Sequence, residues 1–271
     1  MYSLISLCIL FCVAPTLAQE KLELDGAIVL SDSEALQPQA GTIRWTGNDF
    51  EGWNGLFWVS LTSKTLGSIS DADGNTYRTL VIGGKEWMIE NLRTTVYNDT
   101  TPIVEVTDSA AWGIVSSGAY CWYNNDRSTH EITYGALFNW FAVESGNVCP
   151  EGWHVPDDLL GNLDFSDMLS MYGGLFTGGV ATKSTGNQAD GTGLWPFPNS
   201  ATNESGFTGH PGGLRKDDGA FSGLGTIGTF WTSEEDPPDH GWRRLLRSTD
   251  QTVLRSNSDK NFGVSIRCVK N

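Results

Sequence analysis

The chain has no long hydrophobic run beyond its first residues, and positively charged side chains are scarce. No stretch after Ala18 reaches the roughly 20 apolar residues that a membrane helix requires, so no membrane span is predicted. Lysine and arginine total 17 against 32 aspartate and glutamate residues, which gives a formal net charge of -15. A surface this acidic repels nucleic acid and anionic membranes, so neither is an expected partner.

Recognisable catalytic motifs are also missing. The four histidines lie apart, and none is accompanied by a nucleophile motif such as G-x-S-x-G. A hydrolase needs a nucleophile beside a base, or two carboxylates held in a defined frame. We interpret His154, in the segment GWHVP, as a core or turn-bonding histidine. The sequence therefore predicts a protein that is not an enzyme.

Residues 1–18 form an apolar segment without charged side chains, and Thr16 and Ala18 stand where a signal-peptidase site requires small residues. We predict that 1–18 is a signal peptide. The protein is then secreted or extracellular, with association with the cell surface left open. Of the five cysteines, Cys8 and Cys12 lie in this segment, which leaves three in the exported chain.

The rest of the chain is rich in tryptophan and glycine, with 11 and 32 residues respectively in the whole sequence. Large rings fill space between irregular segments, and glycine supplies the positive φ angles of tight turns. This composition predicts a loop-rich fold and excludes a helical bundle.

Residues 19–65 are predicted to form a short β-rich segment, with strands in AIVL, GTIRW and LFWVSLT. The stretch 40–62, AGTIRWTGNDFEGWNGLFWVSLT, resembles a segment of the stalks and heads of bacterial surface fibres, where strands from several chains wrap together. That resemblance implies a homo-oligomer formed through 19–65. The alternative is a β-rich linker or a strand pair packed on the main domain.

The main domain is predicted over residues 66–271. Its first feature is DADGNTY at 71–77, which predicts a β-hairpin because Asp-Gly favours positive φ at both turn positions. The same stretch does not fit a calcium-binding EF-hand loop. Gly74 falls at the fourth position instead of the sixth, and Ile82 stands where the twelfth position needs an acid.

Hydrophobic spacing predicts two helices in this domain. The first carries Tyr134, Leu137, Phe138 and Phe141, and the second carries Phe165, Met168, Leu169 and Tyr172 before a stop at Gly173-Gly174. Short strands are predicted at 228–232, 242–246, 252–255 and 263–269. Two helices on a small antiparallel sheet, with long irregular loops, define an α+β fold.

Seven segments of 70–271 resemble, in the same order, the Fibrobacter succinogenes major paralogous domain. They read DADGNTYRTLVIGGKEWMIENLRT, GAYCWYNND, YGALFNWFAV, NVCPEGWHVP, ATNESGFTGHPGGLR, FWTSEE and GVSIRCVKN. The resemblance implies a secreted or surface-displayed bacterial domain with a C-type-lectin-like fold, related in architecture to the formylglycine-generating enzymes. It implies no known activity. Residues 157–167 depart from the family because they are more acidic and are interrupted by glycine.

The resemblance also suggests roles for the cysteines. In a lectin-like fold the positions of Cys149 and Cys268 would tie the central loops to the last strand, and we predict that they form a disulfide. Cys121, in AYCWY, is predicted to be a small buried hydrophobic residue. Formylglycine-generating enzymes need a close pair of reactive cysteines, so this activity is the least favoured function.

Lectin-like domains bind ligands through irregular loops in their second half. Trp231 and Trp242 are candidate sugar-stacking residues there, with core packing as the alternative. Hard oxygen ligands suit calcium, for which the candidate ligands are Asp236, Asp239, Asn257 and Asp259. Neither calcium-lectin motif, the EPN type or the WND type, is intact, and solvated acidic residues are the alternative.

The predicted function is a non-catalytic secreted or cell-surface module that binds carbohydrate or another surface component. The rival prediction is the structural head of an oligomeric surface fibre or adhesin.

Overall fold

The computed structural model describes residues 42–45, 50–53, 58–60, 66–158 and 164–271. The chain divides into two compact units, Met1–Ser63 and Lys64–Asn271. The predicted signal peptide and the predicted strand AIVL lie outside the described residues. Within the described ranges, no helix combines the length and apolar character needed to cross a membrane.

The first unit contains a three-stranded antiparallel sheet of order β1-β2-β3. Its strands are β1 (Ile43–Trp45), β2 (Phe50–Trp53) and β3 (Trp58–Ser60). The register pairs Ile43 with Gly52 and Glu51 with Ser60. Strands β1 and β3 lie within two of the predicted strands, GTIRW and LFWVSLT, whereas β2 was not predicted.

Besides a short 3-10 helix at Tyr123–Asn125, the second unit holds thirteen strands and five α-helices among its described residues. In chain order they are β4 (Leu66–Ser70), β5 (Thr76–Ile82), β6 (Lys85–Met88), β7 (Val104–Glu105), α1 (Ser109–Ile114), β8 (Ala119–Cys121), α2 (Arg127–Tyr134), β9 (Leu137–Phe138), α3 (Trp140–Glu144), β10 (Trp153–His154), α4 (Asp164–Ser170), α5 (Gly174–Thr182), β11 (Gly212–Arg215), β12 (Phe221–Leu224), β13 (Ile227–Asp236), β14 (His240–Arg247), β15 (Val253–Asp259) and β16 (Val269–Lys270).

These strands form several small sheets. The largest has the order β10-β16-β6-β5-β4. The last strand of the chain, β16, therefore lies between β10 and β6. A second sheet, β13-β14-β15, is antiparallel and carries a bulge between Trp231 and Glu235. The remaining strands pair as β7-β8-β9 and β11-β12. Helices and small sheets are mixed along the chain, which confirms the predicted α+β class.

The predicted hairpin at 71–77 is confirmed by the pairing of β4 with β5. Gly74 takes a φ of +85°, in the region that favours glycine. Asp71 closes the turn, because its Oδ1 accepts hydrogen bonds from the backbone N–H groups of Asp73 (3.0 Å) and Asn75 (2.9 Å). The Asp-Gly signal therefore worked as an Asx-type turn between two strands.

The predicted helix through Tyr134 and Phe141 is wrong. Tyr134 ends α2, Leu137 and Phe138 form β9, and Phe141 lies in α3. Gly135, with a φ of +72°, ends α2. The Asn139 side chain then starts α3 by accepting a hydrogen bond from the backbone N–H of Ala142. The helical spacing thus arose from three separate elements.

The second predicted helix is confirmed as α4, which buries Phe165, Met168 and Leu169. Tyr172 lies beyond the end of α4. It is partly buried and packs against the hydrophobic cluster that contains these three side chains. The predicted stop is followed at once by α5, whose glycine-rich sequence GLFTGGVAT gave no helical signal. Of the predicted strand at 263–269, only Val269 enters a strand, while Gly263, Val264 and Ser265 make isolated bridges.

Aromatic side chains dominate the core. One cluster contains Trp122, Trp140, Trp153 and Trp231, and a second is centred on Trp87 and Trp195. The predicted disulfide is confirmed, since Cys149 and Cys268 are bonded inside the first cluster.

Buried arginines anchor the loops between these elements. Arg215 donates to the carbonyls of Gly219, Val106 and Thr107. Arg267 donates to the carbonyl of Thr208 at 2.8 Å and to Asn91 Oδ1 at 2.8 Å, and burial lowers its pKa to about 9. Each guanidinium satisfies carbonyls that irregular loops leave without strand partners.

Candidate functional site

Trp231, one of the two predicted sugar-stacking residues, belongs to the core. Its side chain is 0% exposed, and its Nε1 donates a hydrogen bond to the Phe138 carbonyl at 2.8 Å. A fully buried ring offers no face to a ligand. The structure therefore corrects this prediction in favour of core packing.

Trp242, the other predicted stacking residue, is half-buried on β14. The Arg255 guanidinium carbon lies 3.7 Å from the centroid of the indole ring. This cation–π contact covers one face of the ring. A sugar could stack on that face only by displacing Arg255.

The four predicted calcium ligands lie around the β13–β14 turn and near the end of β15. Asn257 Nδ2 donates a hydrogen bond to Asp236 Oδ2 at 2.6 Å, so these two side chains contact each other directly. Asp259 Oδ1 accepts from the backbone N–H of Asn261 at 2.8 Å. Within the described ranges, Asp236, Asp239 and Asp259 do not bring three carboxylate oxygens within 4.8 Å of one another. Asp239 and Asp259 line one hollow, and the calcium site itself stays a prediction.

Two of these residues, Asp239 and Asp259, line a hollow of about 220 Å³ beside the β13–β14 turn. Its walls are Phe141, Pro238, Asp239, Asp259, Lys260 and Asn261. Pro238 and Asp239 are exposed, and the Phe141 ring is partly exposed. We call this feature the late-loop hollow.

Lys260 is fixed in the wall of the late-loop hollow. Its Nζ lies 2.5 Å from Glu235 Oε1 and 3.4 Å from Glu144 Oε1, and 5.0 Å from the centroid of the Trp140 ring. Burial alone would lower the pKa of Lys260, but the hydrogen bond that it donates to Glu235 and the charge of Glu144 raise that pKa above its usual value. The ammonium therefore stays charged and in place.

Backbone contacts hold the rest of the hollow. The backbone N–H of Lys260 donates to the carbonyl of Asp239 at 2.9 Å, which joins the two loops that form the walls. Asn261 Nδ2 donates to the carbonyls of Trp112 (2.9 Å) and Val115 (2.7 Å). The late-loop hollow is thus preformed by contacts of its wall residues with one another and with neighbouring segments.

A larger cavity of about 460 Å³ lies beside the disulfide. Its walls are Lys85, Val143, Gly146, Cys149, His154, Val155, Asp157, Ser233 and Asn271. We call it the disulfide cavity. The sequence gave no indication of it beyond the acidic character of 157–167.

His154 and Asp164 form an ion pair at this cavity. Asp164 has a side-chain exposure of 0%, and its Oδ2 lies 2.9 Å from His154 Nε2. Burial would raise the pKa of Asp164, but hydrogen bonds from His154 and Lys85 hold it near 2. The bond to Asp164 raises the pKa of His154 in turn. His154 is therefore a half-buried partner of an acid, where a core or turn-bonding histidine was predicted.

Cys121 is buried, as predicted, and is the free cysteine among the described residues. Burial raises the pKa of its thiol to about 12, so the thiolate is scarce near neutral pH. Cys149 and Cys268 are spent on the disulfide. The described part of the chain thus does not present the thiol pair that formylglycine-type chemistry requires.

Fold and cavities define a disulfide-closed α+β domain with preformed surface depressions. The model of the Fibrobacter succinogenes major domain matches residues 80–270, more than half of the chain, and the chain belongs to this family. The resemblance found in the sequence is therefore confirmed. Neither the curated proteins nor the solved structures contain a match to the chain.

Proposed function

We propose that this chain is a non-catalytic, secreted or cell-surface binding module with a C-type-lectin-like fold, whose ligand is a carbohydrate or another surface component. The observation that carries the proposal is the late-loop hollow, where an aromatic ring and a proline lie beside hydrogen-bonding side chains. Sugars present apolar C–H faces together with hydroxyl groups. A site that binds sugars therefore needs both apolar and hydrogen-bonding side chains in its wall.

The polar groups of the hollow suit hydroxyl ligands. Asp239 offers an exposed carboxylate acceptor, Asp259 a partly exposed one, and Lys260 an ammonium donor held in the wall. Ligand pockets for drug-sized molecules span about 300–1,000 Å³. At about 220 Å³ the hollow is smaller, and it suits one sugar unit of a longer chain.

Export is supported by the cysteines and the leading segment. Disulfides persist in oxidising compartments, and Cys149–Cys268 is formed inside the core. The apolar segment at 1–18 is the expected export signal. A binding module outside the cell is consistent with both features.

The test is a glycan array probed with the purified protein and with two variants. Asp239→Asn removes one exposed carboxylate of the hollow while leaving the backbone carbonyl that accepts from Lys260. Asp217→Asn is the matched control, because Asp217 is also an exposed aspartate in a turn, between β11 and β12. Binding that weakens in Asp239→Asn alone supports the proposal. An array without any bound glycan contradicts it.

A second function, the structural head of an oligomeric surface fibre, is favoured by one observation. Met1–Ser63 forms a compact unit of its own, with a three-stranded sheet, and could associate with copies of itself. Sedimentation velocity of the full exported chain separates the two functions. A trimer or larger species supports the fibre head, and a monomer at all concentrations rules it out.

A further inference from the structure

We propose that His154, Asp157 and Asp164 bind a divalent transition metal ion of the Zn²⁺ type. One ligand atom from each of the three lies within 4.8 Å of the others, and no other group of three such side chains does so in the described part of the chain. The inference concerns the disulfide cavity and is independent of the carbohydrate proposal.

The orientation of His154 is the first argument. Its Nδ1 lies 2.6 Å from Asn271 Oδ1, and this acceptor favours the tautomer in which Nδ1 carries the proton. Nε2 then faces Asp164 Oδ2 at 2.9 Å. A nitrogen lone pair and a carboxylate oxygen repel each other at this distance unless a cation joins them. That cation is either a proton or a metal ion.

A histidine whose Nδ1–H is held by an oxygen acceptor, with Nε2 directed at carboxylates, has the arrangement that metal-binding histidines adopt. The carboxylates of Asp157 and Asp164 are also held in place by hydrogen bonds. Asp164 Oδ2 accepts from the backbone N–H of Asp157 at 2.9 Å, and the Ser233 hydroxyl donates to Asp157 Oδ1. Second-shell hydrogen bonds of this kind fix ligand geometry before the ion arrives.

Lys85 is the second argument, because its ammonium already neutralises Asp164 through a contact with Oδ1, the oxygen that does not face His154. The Lys85 side chain is 39% exposed, so it can move into solvent when an ion replaces it. The cluster therefore already binds one cationic group, the Lys85 ammonium, and a divalent ion would replace it.

The donor atoms select the metal. Calcium takes six to eight oxygen ligands, and an imidazole nitrogen suits it poorly. Zinc accepts histidine nitrogen and carboxylate oxygen together, usually with four ligands. Three protein ligands leave one position, and the adjoining cavity of about 460 Å³ has room for a water molecule there.

The experiment is a calorimetric titration of the full exported chain with Zn²⁺, paired with metal analysis after dialysis. We expect one Zn²⁺ per chain and a weakening of about tenfold or more in His154→Gln and in Asp157→Asn. Lys85→Met removes the competing ammonium and should bind Zn²⁺ more tightly than the unaltered protein. Asp217→Asn is the control and should bind unchanged.

Two further measurements, Co²⁺ absorption and circular dichroism, distinguish loss of the metal site from loss of the fold. Co²⁺ in place of Zn²⁺ should give a visible absorption band in the unaltered protein and in Lys85→Met, and the band should be lost in His154→Gln. Circular dichroism establishes that each variant is folded. The proposal is overturned if neither the unaltered protein nor Lys85→Met binds Zn²⁺, or if folded His154→Gln binds it as well as the unaltered protein. Tighter binding of Ca²⁺ than of Zn²⁺ would also overturn it.

Discussion

Replacing both Cys149 and Cys268 with alanine opens a covalent loop that spans 119 residues. In the chain-entropy model, a loop of this length lowers the unfolded-state entropy by an amount equivalent to about 5 kcal/mol at 25 °C. The bond also joins the loop before β10 to the residue before β16, and the Cys268 carbonyl accepts from the backbone N–H of Met88 at 3.0 Å. The largest sheet therefore loses the anchor of its last strand together with the covalent loop.

For a domain of this size, each kcal/mol of lost stability lowers the melting temperature by about 2–4 °C. We therefore expect the double variant to melt about 10–20 °C lower than the oxidised protein. The assay is urea unfolding followed by tryptophan fluorescence, with a thermal scan in parallel. Cys121→Ala is the matched control, because it removes a buried thiol that closes no loop.

The outcome that refutes this reasoning is a double variant that loses no more stability than Cys121→Ala. The closure of the domain would then come from packing and strand pairing alone, and the disulfide would be dispensable for the fold.

Three further predictions follow from single contacts. Gly241→Ala places a Cβ 2.0 Å from Cδ1 of the Trp140 ring, and we expect urea unfolding to show a loss of about 1–3 kcal/mol; unchanged stability would contradict the packing. Cys121 should resist iodoacetamide in the native protein and react fully in guanidinium, as measured by mass spectrometry, so rapid native labelling would be inconsistent with its burial. Burial lowers the pKa of His210 below its usual 6.5. As the pH falls, the histidine is therefore protonated at a higher pH in the unfolded chain than in the folded one, and the free energy of unfolding decreases between these two pKa values. His210→Gln should therefore lose less stability than the unaltered protein between about pH 7 and pH 5 in urea titrations, and an equal loss would count against this linkage.

Local signals predicted part of the fold well. The Asp-Gly turn of the first hairpin depends on a few adjacent residues, and the side chain of Asp71 stabilises it from within the turn. The pairing of Cys149 with Cys268 came from the family resemblance, since spacing alone could not have chosen among three cysteines. The turn needs little information about distant parts of the chain, whereas the disulfide joins residues 119 apart and needed the family resemblance.

Hydrophobic spacing gave a wrong prediction where the chain forms three short elements in place of one helix. The apolar residues from Tyr134 to Phe141 fit a helical period, but Gly135 and Asn139 break the stretch into a helix end, a strand and a new helix. Tertiary contacts decided the outcome. The carbonyl of Val264 accepts from the backbone N–H of Phe138 at 2.9 Å, a contact that no local pattern reveals.

The candidate sites were partly foreseen. Asp239 and Asp259 were selected as late-loop residues, and they line the late-loop hollow, while calcium binding there stays a prediction. The disulfide cavity was missed because its groups come from distant segments. Lys85 is 79 residues from Asp164, and His154 is 117 residues from Asn271.

The measurement that tests the central claim most directly is calorimetric titration of the protein with the best glycan from the array. The account predicts saturable binding to one site per chain, weakened in Asp239→Asn and preserved in Asp217→Asn. Equal affinity for all three proteins would contradict the assignment of the late-loop hollow, and the absence of binding by any of them would contradict carbohydrate recognition itself.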